Sequence, residues 1–339
     1  MLPDPGQERT PEIQPDGNAG LIDEYYRAGL KVLVLGDKNP FNPYDAKGKN
    51  WQTEYVQQED ADAHFARGGN IGIQMGEVSG WLGAVDLDGE EARRLAPRLL
   101  PTTLMAGKAG EKLPSHYVYR SVGADYLRVG DVGGGEVLAL KTSASGKGHQ
   151  IKVAPSVHAA KGRYEWRPAF DMDKVTDVGA LSLTADVRRL GTAALIRRYL
   201  PAEGRHEYSK AIAGMLLRWG YDPAGLAKIM EVVWEDAAAP ADGVRSAVKN
   251  VHDTARALKD GEKVTGGTTL NNEYKPNLAR ALIKAAGLEG NQPLGGSSVN
   301  GDSPGKPAKS YMRTDLGNAE RFVDAYHDRV RWCPARKNG

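Results

Sequence analysis

The pattern of apolar and polar positions divides the chain into a first part, where strands and helices alternate, and a later helical part. Short apolar runs predict buried strands, and apolar residues spaced three or four apart predict amphipathic helices. In the first part the predicted helices cover 19–29, 57–69 and 90–100, and the predicted strands cover 31–36, 70–76 and 81–88. This mixture predicts an α+β fold.

Strand-like segments dominate from residue 101 to residue 168, with glycines between them. They are TTLMAG, SHYVYR, EVLALKT, HQIKVAP and RYEW. From about residue 185 the apolar period becomes that of helices. In HEYSKAIAGMLLRWG the apolar face consists of Ile212, Met215, Leu216 and Trp219, which predicts packing into a core rather than a ligand site.

Two stretches that are poor in apolar side chains flank these regions. Residues 1–18 are polar, and residues 289–309 are rich in Gly, Ser and Pro, as is typical of flexible segments. The predicted organisation is a flexible leader (1–18), an α+β domain (19–190), a helical domain (191–288), a linker (289–310) and the start of a further, truncated domain (311–339).

Composition narrows the class of protein. The chain has 339 residues, a formal net charge of +2 and a single cysteine, Cys333. One cysteine excludes an internal disulfide framework and a cysteine-rich zinc site. The small net charge requires any nucleic-acid contact to come from local basic patches. Without a signal peptide or an apolar run of roughly 18 residues, we expect a soluble, cytoplasmic protein with no membrane partner.

The sequence GAVDLDGEE carries the first candidate chemistry. Side chains alternate along a strand, so Asp86 and Asp88 project to one face and Val85 and Leu87 to the other. Two carboxylates at the end of a buried strand can hold a hard divalent cation such as Mg²⁺ or Mn²⁺. Taken alone, the pair has a second interpretation, because such aspartates also end strands and begin helices.

A histidine in KLPSHYVYR is the second candidate. His116 can donate to a triphosphate or transfer a proton, or it can be a strand-edge residue without function. Strict alternation places Ser115 on the opposite face from His116, which argues against a nucleophile–base pair and so against a hydrolase. The glycine- and lysine-containing loop at 143–158 lacks the GxxxxGK[ST] pattern of a phosphate loop.

In order along residues 20–168, these segments resemble the prim-pol branch of the archaeo-eukaryotic primase superfamily. The motifs that carry the resemblance are Lys38 to Trp51, Asn70–Gly76, Ser79-Gly80, Val85–Asp88, Glu90-Glu91, Thr103–Gly107, Ser115-His116, Pro155–His158 and Tyr164–Trp166. The resemblance implies an RRM-like sheet packed on a second αβ unit, with the active site between them. It makes residues 19–190 the catalytic domain.

The resemblance also implies roles for individual residues. Asp86 and Asp88 would hold Mg²⁺ or Mn²⁺, and Asp86, Asp88 and His116 would form the catalytic set. Ser115, His116 and Lys141 would bind the nucleotide. The implied activity is that of a DNA primase and DNA polymerase of phage or plasmid replication. Its partners would be a single-stranded DNA template, a primer and dNTP or NTP.

One position departs from the family pattern. The family has a third acid two residues before a basic residue, but Ala139 stands two residues before Lys141. Glu136 lies in the same strand, on the opposite face if alternation is strict. Three alternatives remain open: a bulge turns Glu136 into the site, Asp131 reaches in, or two carboxylates suffice.

The later segments resemble neighbours of prim-pol domains. GRHEYSKAIAGMLLRWGYD is similar to the helical module that comes after such domains and engages template, and TDLGNAERFVDAY resembles the entry to a replicative helicase region, as in corynephage-type proteins. A helicase region of the same polypeptide would therefore be a further partner. Two alternatives to the polymerase remain: a non-catalytic DNA-binding replication-initiation module, and a metal-dependent phosphohydrolase or nuclease.

Overall fold

Strands and helices alternate in the first half of the chain, and helices make up the second. The computed structural model describes residues 19–36, 39–45, 47–143, 148–160 and 162–294. The helices are α1 (Ala19–Arg27), α2 (Gln58–Ala66), α3 (Glu90–Leu99), α4 (Ala180–Arg198), α5 (Arg205–Arg218), α6 (Pro223–Asp236), α7 (Ala241–Lys259), α8 (Gly267–Thr269) and α9 (Leu278–Ala286). The strands are β1 (Val32–Leu35), β2 (Asn70–Met75), β3 (Leu82–Asp86), β4 (Leu104–Lys108), β5 (His116–Arg120), β6 (Leu127–Gly130), β7 (Glu136–Lys141), β8 (His149–Lys152), β9 (Val157–His158), β10 (Gly162–Arg167) and β11 (Thr176–Asp177).

The strands form two sheets. The smaller has the order β1-β2-β8, and the larger has the order β6-β7-β3-β5-β4-β10-β9, with β11 pairing in parallel with β5. Together with the helices they confirm the predicted α+β class. The prediction omitted β6, which is one edge strand of the larger sheet, and the two-residue strands β9 and β11.

Alternation along β3 assigns its two faces to different cores. Ala84 lies in a core formed between the two sheets, together with Ile73 and Val118. Val85 and Leu87 lie in a second core against the helices. We call these the sheet core and the helix core. Because Asp86 is two residues after Ala84, its side chain lies on the face of the sheet core.

The helix core continues from the larger sheet through α3 and α4 into the later helices. The predicted boundary between residues 190 and 191 falls inside α4, which packs on α3, β7 and α6. Asp236 of α6 also accepts hydrogen bonds from Arg94 of α3 at 3.1 Å and Arg197 of α4 at 2.7 Å. The division into two domains stays a prediction.

Several sequence predictions lie wholly or largely outside the described residues. These are the leader (1–18), residues 295–310 of the linker and the region 311–339. Among the described residues, none of the helices is both long enough and apolar enough to cross a membrane.

Candidate active site

Asp86 and His116 face each other on neighbouring strands of the larger sheet. In the β3–β5 ladder Ala84 pairs with Val118, and the next rung on the same face pairs Asp86 with His116. The first rung belongs to the sheet core. The second places a carboxylate and an imidazole directly beyond it, and both side chains are buried.

Both oxygens of Asp86 have positively charged or titratable partners. Oδ1 lies 3.2 Å from Nε2 of His116, and Oδ2 lies 2.5 Å from Nζ of Lys141. Burial alone would raise the pKa of Asp86, but His116 and Lys141 together hold that pKa below its ordinary value. Burial also opposes the charge on Lys141, yet Asp86, Glu136 and Asp88 raise the pKa of its ammonium. Asp86 is therefore a carboxylate in this site.

Asp88 lies just beyond β3 and is exposed. Its pKa is raised by partial burial and by the charges of Asp86 and Glu136. The chain then passes close to β7 and α4 at Gly89: a Cβ there would lie 2.8 Å from the guanidinium of Arg198 and 3.2 Å from a backbone oxygen of β7. A glycine at this position allows the turn that presents Asp88.

Glu136 joins the two aspartates through an irregularity in β7. Val129 of β6 pairs with Leu138, but the next residue, Gly130, pairs with Glu136, so β7 contains one extra residue here. This is a β-bulge. Val137 and Leu138 consequently both lie in the helix core. Glu136 is shifted to the opposite face, where one oxygen from each of the three carboxylates lies within 4.8 Å of the others.

The bulge supports the first of the three alternatives for the third acid. It places Glu136 beside Asp86 and Asp88, because the strict alternation that would put Glu136 on the opposite face fails at a bulge. Asp131 is held elsewhere: its carboxylate accepts hydrogen bonds from Tyr199 at 2.7 Å and from Arg198 at 3.1 Å.

Ser115 also departs from the sequence-based expectation. Its hydroxyl lies 3.1 Å from Nδ1 of His116, although alternation predicted opposite faces. β5 begins only at His116, so Ser115 belongs to the preceding turn, where alternation does not apply. The serine is 2% exposed. It donates to Nδ1 when Nε2–H donates to Asp86, which orients the imidazole rather than preparing an attack on a substrate.

The donor set fits a hard divalent cation. Mg²⁺ and Mn²⁺ prefer carboxylate oxygens, and Asp86, Asp88 and Glu136 supply them. Two cations of the chain are already close to these oxygens: Lys141 is bound to Asp86, and Nε of Arg128 lies 2.7 Å from Glu136. The structure thus brings together the predicted Asp86, Asp88, His116, Ser115 and Lys141.

Sequence reasoning missed Arg128. Its strand, β6, comes after the segment SVGADY, which has no clear apolar alternation. The signal that remained was the fragment LRVG, with apolar residues two apart around Arg128. Lys38, part of the resemblance, lies outside the described residues.

Fold and site together define a class: an α+β protein with a cluster of three carboxylates, suited to divalent metal, beside a buried histidine and a lysine. Residues 22–179 match the family model described as bifunctional DNA primase/polymerase, N-terminal. This match agrees with the resemblance to the prim-pol branch that the sequence motifs indicated. The helices from α4 onward lie outside the matched residues. No curated protein matches the chain.

Proposed function

We propose that the protein is a template-dependent DNA primase and DNA polymerase of phage or plasmid replication. It would transfer a nucleotide from dNTP or NTP to a 3′-hydroxyl in a reaction supported by two metal ions. The observation that carries the proposal is the meeting of Asp86, Asp88 and Glu136 within 4.8 Å in the part of the chain that matches the prim-pol family model. Its partners would be the single-stranded template, the primer and a helicase region of the same polypeptide.

Asp86, Asp88 and Glu136 would hold Mg²⁺ or Mn²⁺. When bound, such ions stabilise the charge on the attacking and leaving oxygens of phosphoryl transfer. The protein contributes mainly position and charge to this chemistry. Asp86 suits the role because it stays ionised, and Asp88 suits it because its exposed carboxylate is accessible from solvent.

His116, Ser115 and Lys141 would bind the nucleotide's phosphates. Nε2 of His116 and Nζ of Lys141 are the groups that contact Asp86. Both groups donate hydrogen bonds to a negatively charged carboxylate, and they can donate in the same way to the negatively charged oxygens of a triphosphate. Ser115 holds the imidazole in the orientation that directs Nε2 toward the carboxylates.

The first experiment replaces each aspartate in the full chain, as Asp86→Asn and Asp88→Asn. We expect each variant to lose at least about 100-fold in dNTP incorporation on a primed template with Mg²⁺ or Mn²⁺, because each removes a metal-binding charge. DNA affinity should change little, and the melting temperature should change little for Asp88→Asn but fall for Asp86→Asn, which leaves Lys141 without its carboxylate partner. Near-normal incorporation by either variant would contradict the metal assignment.

The wild-type chain separates the proposal from a non-catalytic replication-initiation module. A DNA-binding module would bind the same oligonucleotides but incorporate no dNTP with either metal. A phosphohydrolase or nuclease would release phosphate or cut DNA under the same conditions. Primer synthesis on unprimed single strands, tested with each nucleotide type, would measure the primase activity directly.

A further inference from the structure

Two stacked aromatic rings join the two sheets near the carboxylates. The rings of Tyr126 and His149 are inclined by only 6°, with centroids 4.2 Å apart. Tyr126 directly precedes β6 of the larger sheet, and His149 is the first residue of β8 in the smaller sheet. Tyr126 is nevertheless 40% exposed. With one face against His149, this exposure belongs to the opposite face and the edge of the ring.

Strand register places Tyr126 beside the candidate active site. Arg128 pairs with Ala139, and Ala139 pairs with Asp86, so these three residues form one row across β6, β7 and β3. Leu127 pairs with Leu140 in the last rung of the β6–β7 ladder, and Tyr126 comes directly before Leu127. Lys141, which follows Leu140, contacts Asp86 through its ammonium. Rows on one face of a sheet are about 7 Å apart, so Tyr126 joins the sheet about one row from Arg128 and Asp86.

The charges around the ring agree with this position. Burial raises the pKa of Tyr126, Glu136 raises it further, and Arg128 and Lys141 lower it. Burial and the charge of Lys141 lower the pKa of His149. Both rings therefore lie within reach of the charges of the site.

We propose that Tyr126 stacks on a nucleobase next to the metal centre, with His149 supporting the ring from behind. The inference rests on the proposed function, which brings nucleotides to this place. Aromatic side chains stack on any base because every base has a π-face, and a ring already packed on His149 has little freedom left to lose on binding. Arg128 and Lys141, whose charges act on the ring, are cations that can bind the phosphates of the same nucleotide.

The test compares Tyr126→Leu with Tyr126→Trp in the full chain. Leucine removes the π-face and tryptophan keeps one. Tyr44→Leu is the matched control, because Tyr44 is 49% exposed and its hydroxyl contacts Asp60. One arm measures affinity and fluorescence quenching for a primer–template carrying 2-aminopurine, with a dideoxy-terminated primer. The other arm measures the same quantities for the 2-aminopurine deoxynucleoside triphosphate in the presence of that primer–template.

We expect Tyr126→Leu to weaken binding about 5- to 100-fold in one arm and to reduce quenching there. Tyr126→Trp and the Tyr44→Leu control should bind like the wild type. A loss in the first arm assigns the base to the DNA strand, and a loss in the second assigns it to the incoming nucleotide. Unchanged binding by Tyr126→Leu in both arms, or equal losses for the leucine and tryptophan variants, would overturn the inference.

The result of the Tyr126 test can be distinguished from the result of the test of polymerase activity. A wild-type chain that incorporates no dNTP but shows Tyr126-dependent quenching would contradict the polymerase and support the stacking residue. An active wild type whose Tyr126→Leu variant binds and quenches normally would support the polymerase and contradict the stacking residue. Circular dichroism of each variant confirms that the exposed substitution leaves the fold intact.

Discussion

Glu136 is the residue whose position depends most on a local irregularity. We expect Glu136→Gln to lower Mn²⁺ affinity at least about tenfold, because it removes one of the charged oxygens of the cluster. Mn²⁺ titration followed by electron paramagnetic resonance measures the affinity.

Asp131→Asn is the matched control for this substitution. It should leave Mn²⁺ affinity unchanged, because Asp131 is engaged by Tyr199 and Arg198. If the asparagine variant lost affinity and the glutamine variant did not, Asp131 would be the third ligand. If neither did, two carboxylates would suffice.

Lys141 contacts an oxygen of Asp86 that the proposed metal would need. We expect Lys141→Met to raise Mn²⁺ affinity about tenfold, because it frees Oδ2 of Asp86 and removes a positive charge from beside the cluster. The apparent KM for dNTP should rise, since a phosphate donor is lost. A fall in Mn²⁺ affinity would instead mean that Lys141 organises the carboxylates for metal.

At single residues, the sequence predicted the positions that regular alternation determines and missed those that depend on an irregularity. Asp86 and Lys141 were identifiable because a family motif marks them, and for Asp86 because the strand is regular. Glu136 could only be left as one of three alternatives, since a bulge has no signature in EVLALK. The contact between Ser115 and His116 depended on where β5 begins, which sequence patterns do not fix to one residue.

Among the elements, α4 supports the loops that carry the acids. Arg198 near its end donates to Glu91 in the first turn of α3 at 2.7 Å and to Asp131 in the β6–β7 turn at 3.1 Å. It also packs against the position of Gly89. One guanidinium therefore ties the segment after Asp88 to the turn that leads into β7.

We expect Arg198→Met to lower the free energy of unfolding at pH 7 by about 2 kcal/mol, since it leaves two half-buried carboxylates without their partner. Turnover should fall while the melting transition stays cooperative. Urea unfolding and steady-state kinetics measure the two effects. Arg188→Met, on the same helix but bonded to a backbone oxygen of α9, is the control.

The pH dependence of the same variant gives an independent check. Burial would raise the pKa values of Glu91 and Asp131. Arg198, with Tyr199 in the case of Asp131, holds both below their ordinary range. Lowered folded-state pKa values stabilise the protein above the unfolded pKa of about 4, and this stabilisation is lost as the pH falls through the folded values. The free energy of unfolding of the wild type should fall more between pH 6 and pH 3 than that of Arg198→Met. An equal fall in both proteins would contradict the pairing of Arg198 with Glu91 and Asp131.

Element prediction succeeded where the period was long and regular. The helix α5 lies close to the predicted segment HEYSKAIAGMLLRWG, whereas α4 begins at Ala180, ahead of residue 185, from which the helical period was predicted. β6 was omitted because four residues beside a glycine-rich turn carry little periodicity. Its absence from the prediction also hid Arg128 and Tyr126.

On the scale of the whole molecule, the net charge is close to zero, so contact with nucleic acid must come from local basic surfaces. One face of α7 carries exposed basic or titratable side chains spaced three or four apart. They are Arg245, Lys249, His252, Arg256 and Lys259. Asp253 pairs with two of them, Lys249 and Arg256. This α7 stripe is a candidate for contact with the phosphates of a template.

We expect Arg245→Ser combined with Lys259→Ser to lower single-stranded DNA affinity and to reduce the salt slope of binding by about 1.4, or roughly 0.7 for each lost phosphate contact. De novo priming should fall more than extension, because it lacks the pairing energy of a primer. Lys174→Ser with Lys228→Ser, which removes two exposed lysines elsewhere, is the control. An unchanged salt slope in the stripe variant excludes the stripe as a template contact.

Point substitutions are preferable here to removing the helices. A truncation near residue 190 would cut α4 in its middle, remove Arg197 and Arg198, and expose the helix core. Loss of activity in such a fragment would not separate template contact from unfolding. It stays a prediction that the α+β domain carries catalysis and the helical domain engages the template, and the stripe variant tests it.

The bulge in β7 also bears on how related chains are classified. A pattern search that requires an acid two residues before Lys141 finds Ala139 and discards the chain as inactive. One inserted residue in a ladder, however, allows a carboxylate three positions away to occupy the same side of the sheet. Catalogues of degenerate members built on fixed spacing will therefore include chains whose acidic residues are all present. Strand pairing, rather than motif spacing, should decide which sequences are counted as having lost an acid.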